Sequence, residues 1–247
     1  MNNKIRFVAN RPWLDEKSFG SPVQIMKTIP DWYRKADRFF KNINGDFVIG
    51  PDKGKIPTWK ACPAVFDVMG TGYAYVTPYD LEFFINGQGK IDIKVLNNPN
   101  EKSFYPPFVS KRDPMPQFKN PEGYHKEHFA WFPEWSVETP PGYSALYTHP
   151  LNRFELPFLT VSGIIDNDKV MLPGSMPFFV KEGFVGIIEA GTPIAQIIPF
   201  KREDWESEYA SEKPLDLARK NALNSQKYRK PDGGIYKNEV WEPRKYL

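Results

Sequence analysis

The sequence predicts a mainly β protein of short antiparallel strands, with a short helix near its N-terminus and a helical C-terminal region. The 247 residues include 25 prolines, and long helices are improbable because each proline fixes φ and removes a backbone donor. Short apolar runs bounded by glycine and proline are typical of strands. Beyond Phe200 the composition changes: residues 203–210 and 215–228 are rich in helix formers, and Pro214 suits the first turn of the second helix.

The first half of the chain contains most of the individual strand signals. Residues 4–10 predict a strand, and residues 29–40 predict a short amphipathic helix. Residues 60–68 are apolar and compatible with a strand. Residues 73–85 follow a Gly-Thr-Gly turn and predict a meander. In residues 86–96 an Asn-Gly-Gln-Gly turn precedes alternating apolar and polar side chains, which predicts a β-hairpin.

The chain divides into three segments. Residues 97–126 are rich in proline and predict a connector with little regular structure. We therefore assign residues 1–130 to an N-terminal β-rich region, which either folds separately or completes the sheet of the next segment. Residues 131–200 form a β-core, and residues 201–247 form a helical and irregular extension.

The composition excludes several classes of protein. The 33 basic and 30 acidic side chains are spread along the chain, which predicts no dedicated nucleic-acid surface. The single cysteine, Cys62, excludes an intrachain disulfide and is expected to be buried. His125, His128 and His149 lack a specific metal-ligand spacing, so we expect no metal site. No apolar run reaches the roughly 20 residues of a membrane span, and a cytoplasmic location is the expectation.

Three segments follow one another in a recognisable order. Residues 139–146 place a Pro-Gly turn before a strand, residues 158–168 end in Gly-Ile-Ile-Asp-Asn-Asp, and residues 186–200 include Gly-Thr-Pro-Ile-Ala-Gln. In order and spacing they resemble conserved segments of the dUTP diphosphatase and dCTP deaminase family. The resemblance covers about residues 131–200 and implies a β-clip or jelly-roll-like core. It also implies a homotrimer with sites at subunit boundaries.

The resemblance suggests a catalytic role for one aspartate. Asp166 occupies the position of the carboxylate that activates water in the family, with magnesium as the cofactor if the chain is catalytic. Asp168 is the second aspartate and a ligand-binding candidate. The alternative is that both carboxylates only shape a turn. Lys169 and Val170 replace the tyrosine that supports the sugar. Met176 replaces the glutamate of deaminases, which argues against deamination.

The same resemblance indicates a phosphate-binding segment. A Pro-Leu-Asn-Arg stretch aligns with the family's serine motif, keeping a proline and a cation but losing the serine. We therefore take His149, Asn152, Arg153 and Thr160 as ligand-binding candidates, with a surface turn stabilised by Asn152 as the alternative. Residues 229–236 weakly resemble the glycine-rich arm that closes the site in the family.

The whole chain also resembles a group of uncharacterised phage and bacterial proteins. They share the Ile-Pro-Asp-Trp-Tyr start, the Cys-Pro segment and the His-Pro-Leu-Asn-Arg segment, so a host-cytoplasmic location follows if the chain is phage-encoded. Three hypotheses remain open. The chain binds a nucleotide or other phosphate-bearing ligand with an incomplete catalytic set, it is a divergent nucleoside triphosphate diphosphatase using Asp166 and magnesium, or it is a structural phage protein that assembles as an oligomer.

Overall fold

The computed structural model describes residues 4–51, 53–98, 106–112, 119–172, 174–209, 213–228, 236–243 and 245–247. The chain divides into two compact units. The first comprises Met1–Thr28 with Gly72–Arg202, and the second comprises Ile29–Thr71 with Glu203–Leu247. Strands dominate the first unit, and the α-helices lie in the second. The prediction of a mainly β chain with antiparallel sheets is confirmed.

The described strands of the first unit pair antiparallel in four sheets. They are β1 (Arg6–Ala9), β2 (Val23–Gln24), β3 (Tyr73–Val76), β4 (Asp80–Ile85), β5 (Ile91–Leu96), β6 (Val109–Lys111), β7 (Tyr124–Trp131), β8 (Trp135–Glu138), β9 (Tyr143–Thr148), β10 (Phe158–Thr160), β11 (Gly163–Ile165), β12 (Met176–Lys181), β13 (Gly186–Ile188) and β14 (Pro193–Lys201). The strand orders are β1-β8, β13-β4-β5, β10-β12-β7-β6 and β11-β9-β14-β3-β2.

The five-stranded sheet joins distant parts of the sequence. Its strands β2 and β3 come from residues 1–130, whereas β9, β11 and β14 come from residues 131–200. At this junction the backbone beside β3 comes so close to β14 that one position requires glycine. Gly72 has φ +85°, and a Cβ there would lie 2.1 Å from the Ile197 carbonyl oxygen of β14. Only glycine fits, because any side chain would force β14 away from β3.

Stacked aromatic rings form the core on the four-stranded sheet. The Trp131 ring of β7 stacks on Phe178 of β12, with centroids 3.6 Å apart and an interplanar angle of 4°. Phe158 of β10 meets Trp131 edge to face at 5.4 Å. The three side chains are buried, so the cross-strand pairs bring large apolar areas together on one face of the sheet.

The second unit contains the helices α1 (Asp31–Lys35), α2 (Pro63–Gly70) and α3 (Pro214–Tyr228). The α1 helix ends before the predicted limit at Phe40. Residues 60–68, whose apolar sequence is compatible with a strand, are mostly helical, because Pro63 occupies the first helical turn, where its missing N–H is not needed. Among the described residues, no helix has the length and apolar character needed to cross a membrane.

Three further expectations need correction. The predicted connector, residues 97–126, contains β6 and the start of β7, and the pairing of these strands provides the structure that the local composition did not predict. Residues 203–209 are irregular although they are rich in helix formers. Cys62 is exposed, because it precedes the first turn of α2 instead of lying within a strand.

Candidate functional site

The loop after β11 holds the two aspartates of the recognised segment. The backbone N–H groups of Lys169 and Val170 donate to the Asp166 carbonyl oxygen at 2.9 and 3.0 Å, which closes a tight turn. The structure therefore contains a turn at the position where the alternative interpretation expects one. Both aspartate side chains reach out of that turn towards the start of β9, and the Lys169 ammonium within the turn also lies 3.7 Å from Asp166 Oδ2.

Two groups at the start of β9 donate hydrogen bonds to these side chains. The Ser144 hydroxyl donates to Asp166 Oδ1 at 2.6 Å, and the Gly142 N–H donates to Asp168 Oδ2 at 2.8 Å. The Asp166 side chain keeps 43% of its surface exposed, whereas Asp168 keeps 8%. The two carboxylates thus differ in access: Asp166 can contact a molecule in solvent, and Asp168 is largely covered.

Arg202 connects both carboxylates from the end of β14. Its guanidinium forms a two-point ion pair with Asp168, with Nη1 2.8 Å from Oδ1 and Nη2 2.5 Å from Oδ2. Nη1 also donates to Ser144 Oγ at 3.0 Å and lies 3.4 Å from Asp166 Oδ1. The exposed Lys169 ammonium lies 3.7 Å from Asp166 Oδ2. We name these five residues, which carry two negative and two positive charges, the Asp166–Arg202 cluster.

The strand order explains why the cluster forms. β11, β9 and β14 are neighbours in the five-stranded sheet and run antiparallel. The end of β11, the start of β9 and the end of β14 therefore lie at the same edge of the sheet. Ser144 and Arg202 were not predicted as site residues, because this register depends on long-range pairing that no local motif encodes.

The cluster lowers the pKa of both aspartates. The pKa of Asp166 falls below its ordinary value mainly through the Ser144 hydrogen bond, with Arg202 and Lys169 adding to the effect. The pKa of Asp168 falls much further, because Arg202 pairs with it and the Gly142 N–H donates to it. Both carboxylates are therefore ionised at neutral pH. A carboxylate with a lowered pKa is also a weaker base.

Asn167, between the two aspartates, anchors the loop. Its side chain is buried, accepts a hydrogen bond from the Tyr147 hydroxyl at 3.2 Å, and donates to the Val137 carbonyl oxygen at 3.2 Å. This residue occupies the variable position of the recognised segment, so the motif gave no reason to single it out. Its contacts fix the loop to β8 and β9 and thereby position the aspartates.

The predicted phosphate-binding segment forms a turn after the other end of β9. The Thr160 N–H donates to His149 Nδ1 at 3.4 Å, so His149 Nε2 carries the proton that bonds the Arg153 carbonyl oxygen at 3.3 Å. Asn152 adopts φ +60°, a left-handed turn conformation that asparagine tolerates. Arg153 Nη1 donates to the Thr28 carbonyl oxygen at 2.7 Å. The polar groups of this segment therefore hold the turn in place.

Thr160 lies in the core and not on a surface. Its hydroxyl donates to the Ile194 carbonyl oxygen at 2.6 Å and accepts from Trp131 Nε1 at 3.1 Å, and the residue is buried. Nearby, the buried Gln196 side chain accepts a hydrogen bond from the Leu151 N–H at 2.9 Å. Gln196, which was not predicted as a site residue, thus ties the predicted phosphate-binding turn to β14.

The structure does not bring the two groups of candidates together within one chain. The Asp166–Arg202 cluster lies at the start of β9, and the turn containing His149 and Arg153 follows its end. A six-residue strand spans about 17 Å, which is too far for one phosphate group to contact both. The proposed glycine-rich arm at residues 229–236 lies almost entirely outside the described residues.

The histidines do not form a metal centre in the described part of the chain. His128 is buried in β7 and packs on the Phe179 ring, with centroids 5.9 Å apart. Over the same residues, no group of three or more histidine, cysteine, aspartate or glutamate side chains is arranged to hold a metal ion. Magnesium at Asp166 would therefore need oxygen ligands supplied by a bound phosphate or by water.

We expect the stability of the first unit to depend on the protonation of His149. Burial lowers the pKa of this imidazole below 6.5, and Nδ1 must stay unprotonated to accept from Thr160. Below about pH 6.5 the unfolded chain takes up the proton before the folded chain does, so stability falls as the pH drops towards the folded pKa. NMR titration of the imidazole resonances should give a midpoint below 6.5 for the signal that His149→Asn removes. A midpoint at or above 6.5 would contradict the buried neutral tautomer.

No protein-family model matches this chain, and a search of curated proteins finds no match.

Proposed function

We propose that the chain binds a nucleotide or another phosphate-bearing small molecule at the Asp166–Arg202 cluster, on a β-clip core related to that of dUTP diphosphatases. The supporting observation is the state of Asp166. It is an ionised carboxylate, held in place by Ser144 and Arg202 and still accessible to solvent. The exposed Lys169 ammonium beside it can donate to a phosphate oxygen.

Magnesium fits this arrangement as a component of the ligand. In phosphate complexes it is usually held by one or two carboxylates together with phosphate oxygens and water. Asp166 Oδ2 has Lys169 as a neighbour at 3.7 Å, beyond ordinary hydrogen-bond length, and can approach such an ion or its water shell. Asp168 is committed to its two-point pair with Arg202. The cluster therefore offers one carboxylate and one exposed cation to a magnesium–phosphate group.

The lowered pKa of Asp166 favours ligand binding without efficient hydrolysis. A general base works best when its pKa lies near the working pH, whereas Ser144, Arg202 and Lys169 lower the pKa of Asp166 below its ordinary value. The residue that would support the sugar is also replaced by Lys169. In this proposal the catalytic set is incomplete, and the site retains a binding role.

The second candidate is a divergent nucleoside triphosphate diphosphatase. The fixed orientation and exposure of Asp166 favour it, because a base must be ionised and reach a water molecule. If the chain forms the trimer implied by the resemblance, the turn containing Arg153 could lie near the Asp166 of another subunit. Light scattering after size-exclusion chromatography tests the trimer, and a monomeric mass would remove this route to a shared site.

Thermal shift and turnover with a panel of nucleoside triphosphates and magnesium test the proposal. A ligand that binds only the folded protein raises its stability, by about 2.7 kcal/mol at a concentration of 100 times Kd. We expect stabilisation without turnover in the wild type. The stabilisation should be lost in Asp166→Ala and weakened in Lys169→Ala. Lys90→Ala, in the distant turn between β4 and β5, is the matched control and should respond like the wild type.

The other outcomes decide between the alternatives. Turnover that disappears in Asp166→Ala but not in Lys90→Ala would establish the diphosphatase. No stabilisation by any phosphate compound at millimolar concentration would reject a ligand site at this cluster and leave the assembly protein as the better hypothesis.

A further inference from the structure

The second unit contains a small three-stranded arrangement with a repeat of eight residues. Three backbone hydrogen bonds close a ring, from the N–H of Phe40 to the Ile56 carbonyl oxygen at 2.8 Å, from Val48 to Phe40 at 3.0 Å and from Ile56 to Val48 at 3.1 Å. Each short strand therefore pairs with both of the others. We name the described part of residues 38–60 the triangular module.

Equivalent positions of the repeat bring lysine and phenylalanine side chains together. Phe39, Phe47 and Lys55 are separated by eight residues each. The Lys55 Nζ lies 3.8 Å from the Phe47 ring centroid and 5.7 Å from that of Phe39. Lys41 Nζ also lies 5.7 Å from the Phe47 ring. These cation–π contacts hold two ammonium groups beside an exposed aromatic surface.

Large apolar side chains of the module are exposed to an unusual degree. Phe40 is 55% exposed, Phe47 42% and Trp59 65%. Three isoleucines of the module are exposed as well, namely Ile43, Ile49 and Ile56. Single exposed apolar residues are ordinary on a protein surface, whereas exposed apolar residues that lie together are typical of a binding surface.

The same module has a local excess of positive charge. Residues 38–60 include five basic and two acidic side chains, and Asp37, directly before them, pairs with Lys41 at 3.0 Å. Lysines and aromatic residues are interspersed along it, and the exposed Phe47 ring has the ammonium groups of Lys55 and Lys41 beside it. This pattern is complementary to a polymer with regularly spaced anions and flat apolar groups between them.

We propose that the triangular module binds single-stranded nucleic acid. Lys41, Lys53 and Lys55 contact successive phosphates, and bases stack on the exposed rings of Phe40 and Trp59. An unpaired strand fits better than a duplex, because only unpaired bases offer their faces to aromatic side chains. The proposal departs from the expectation, drawn from the even spread of charge in the sequence, that no such surface exists. It is independent of the Asp166–Arg202 cluster, which lies in the other unit.

Fluorescence anisotropy with labelled oligo(dT) and oligo(U) of 20 nucleotides tests this inference on the full chain. Contact of Lys41, Lys53 and Lys55 with three phosphates predicts a slope of about −2 when log K is plotted against log salt concentration. The triple variant of these lysines to glutamine should reduce that slope to about zero. Phe40→Ala and Trp59→Ala should each raise Kd about tenfold while leaving the slope unchanged.

Matched controls separate this surface from general effects. Phe154→Ala removes an aromatic side chain of similar exposure in the first unit, and Lys90→Gln removes an exposed lysine there. Both should bind the oligonucleotides like the wild type, as should Asp166→Ala, so a failed nucleotide-binding proposal would leave this result intact. Circular dichroism checks that each module variant is folded.

Three results would overturn the inference. The first is no oligonucleotide binding by the wild type at 50 mM salt, and the second is equal binding by folded module variants. The third is binding to vesicles containing anionic phospholipid, lost in the module variants, without any binding to the oligonucleotides. That last outcome would instead assign the exposed aromatic and basic residues to a lipid surface.

Discussion

Replacing Asn167 with alanine is expected to lower the free energy of unfolding by about 2–5 kcal/mol, because two buried partners lose their hydrogen bonds. The Tyr147 hydroxyl donates to the Asn167 amide oxygen, and the amide nitrogen donates to the Val137 carbonyl oxygen, both at 3.2 Å. All three residues are buried, so water cannot replace the lost bonds without entering the core. Urea unfolding followed by tryptophan fluorescence measures the change.

Two further variants make this prediction specific. Asn167→Asp should be at least as damaging near neutral pH, because it places a carboxylate opposite the Val137 carbonyl oxygen in a buried position. Asn120→Ala is the control, since it removes one hydrogen bond of 3.3 Å to the His125 carbonyl oxygen at a partly exposed site. Its effect should stay within about 1 kcal/mol. Equal losses in Asn167→Ala and Asn120→Ala would show that Asn167 does not anchor the loop.

Local patterns predicted the strands wherever alternation and turn chemistry acted together. The hairpin in residues 86–96 is present as β4 and β5 joined at Asn86, whose side chain accepts from the N–H groups of Gln88 and Lys90. Pro214 begins α3 as expected. In both places the residues that set the local geometry are neighbours in sequence, so a reading of a few residues is sufficient.

The errors arose where the local pattern fitted two structures or where the decisive contact lies far away in sequence. Residues 60–68 form an apolar run that fits a strand or a buried helix equally well, and only the first-turn position of Pro63 distinguishes the two. β6 lies in a proline-rich stretch and exists because β7 pairs with it. The triangular module escaped notice because its strands are very short and its repeat spans only eight residues.

The candidate site also combines residues that local sequence predicts with residues that only long-range strand pairing brings together. Asp166 and Asp168 could be singled out because they belong to a compact segment of recognisable order. Ser144, 22 residues away, and Arg202, 34 residues from Asp168, meet them only through the register of three antiparallel strands. Long-range pairing is therefore the information that the sequence pattern lacked, and it determines which groups set the charge of the site.

Asp168→Asn is expected to destabilise the first unit at neutral pH and to reduce its sensitivity to acid. The Arg202 pair holds the pKa of Asp168 far below the ordinary 3.8. A carboxyl group with a lowered folded pKa stabilises the protein above its unfolded pKa, and that contribution is lost as the pH falls through the folded pKa. Wild-type stability should therefore fall steeply below about pH 4, whereas Asp168→Asn should fall less. Thermal unfolding measured from pH 7 to pH 2 records both effects.

The relative stability losses of three related variants test whether Asp168 is the principal partner of Arg202. Arg202→Met should be the most damaging at neutral pH, because it leaves the largely covered Asp168 carboxylate with only the Gly142 N–H among its present donors. Asp166→Asn should be the mildest, since its side chain is 43% exposed and solvent can replace what it loses. Asp168→Asn also frees the Arg202 guanidinium, so this variant should bind inorganic phosphate more tightly than the wild type. If Asp166→Asn proved more damaging than Asp168→Asn, Asp166 and not Asp168 would be the principal partner of Arg202, and a solvent-accessible carboxylate would no longer be available to a ligand.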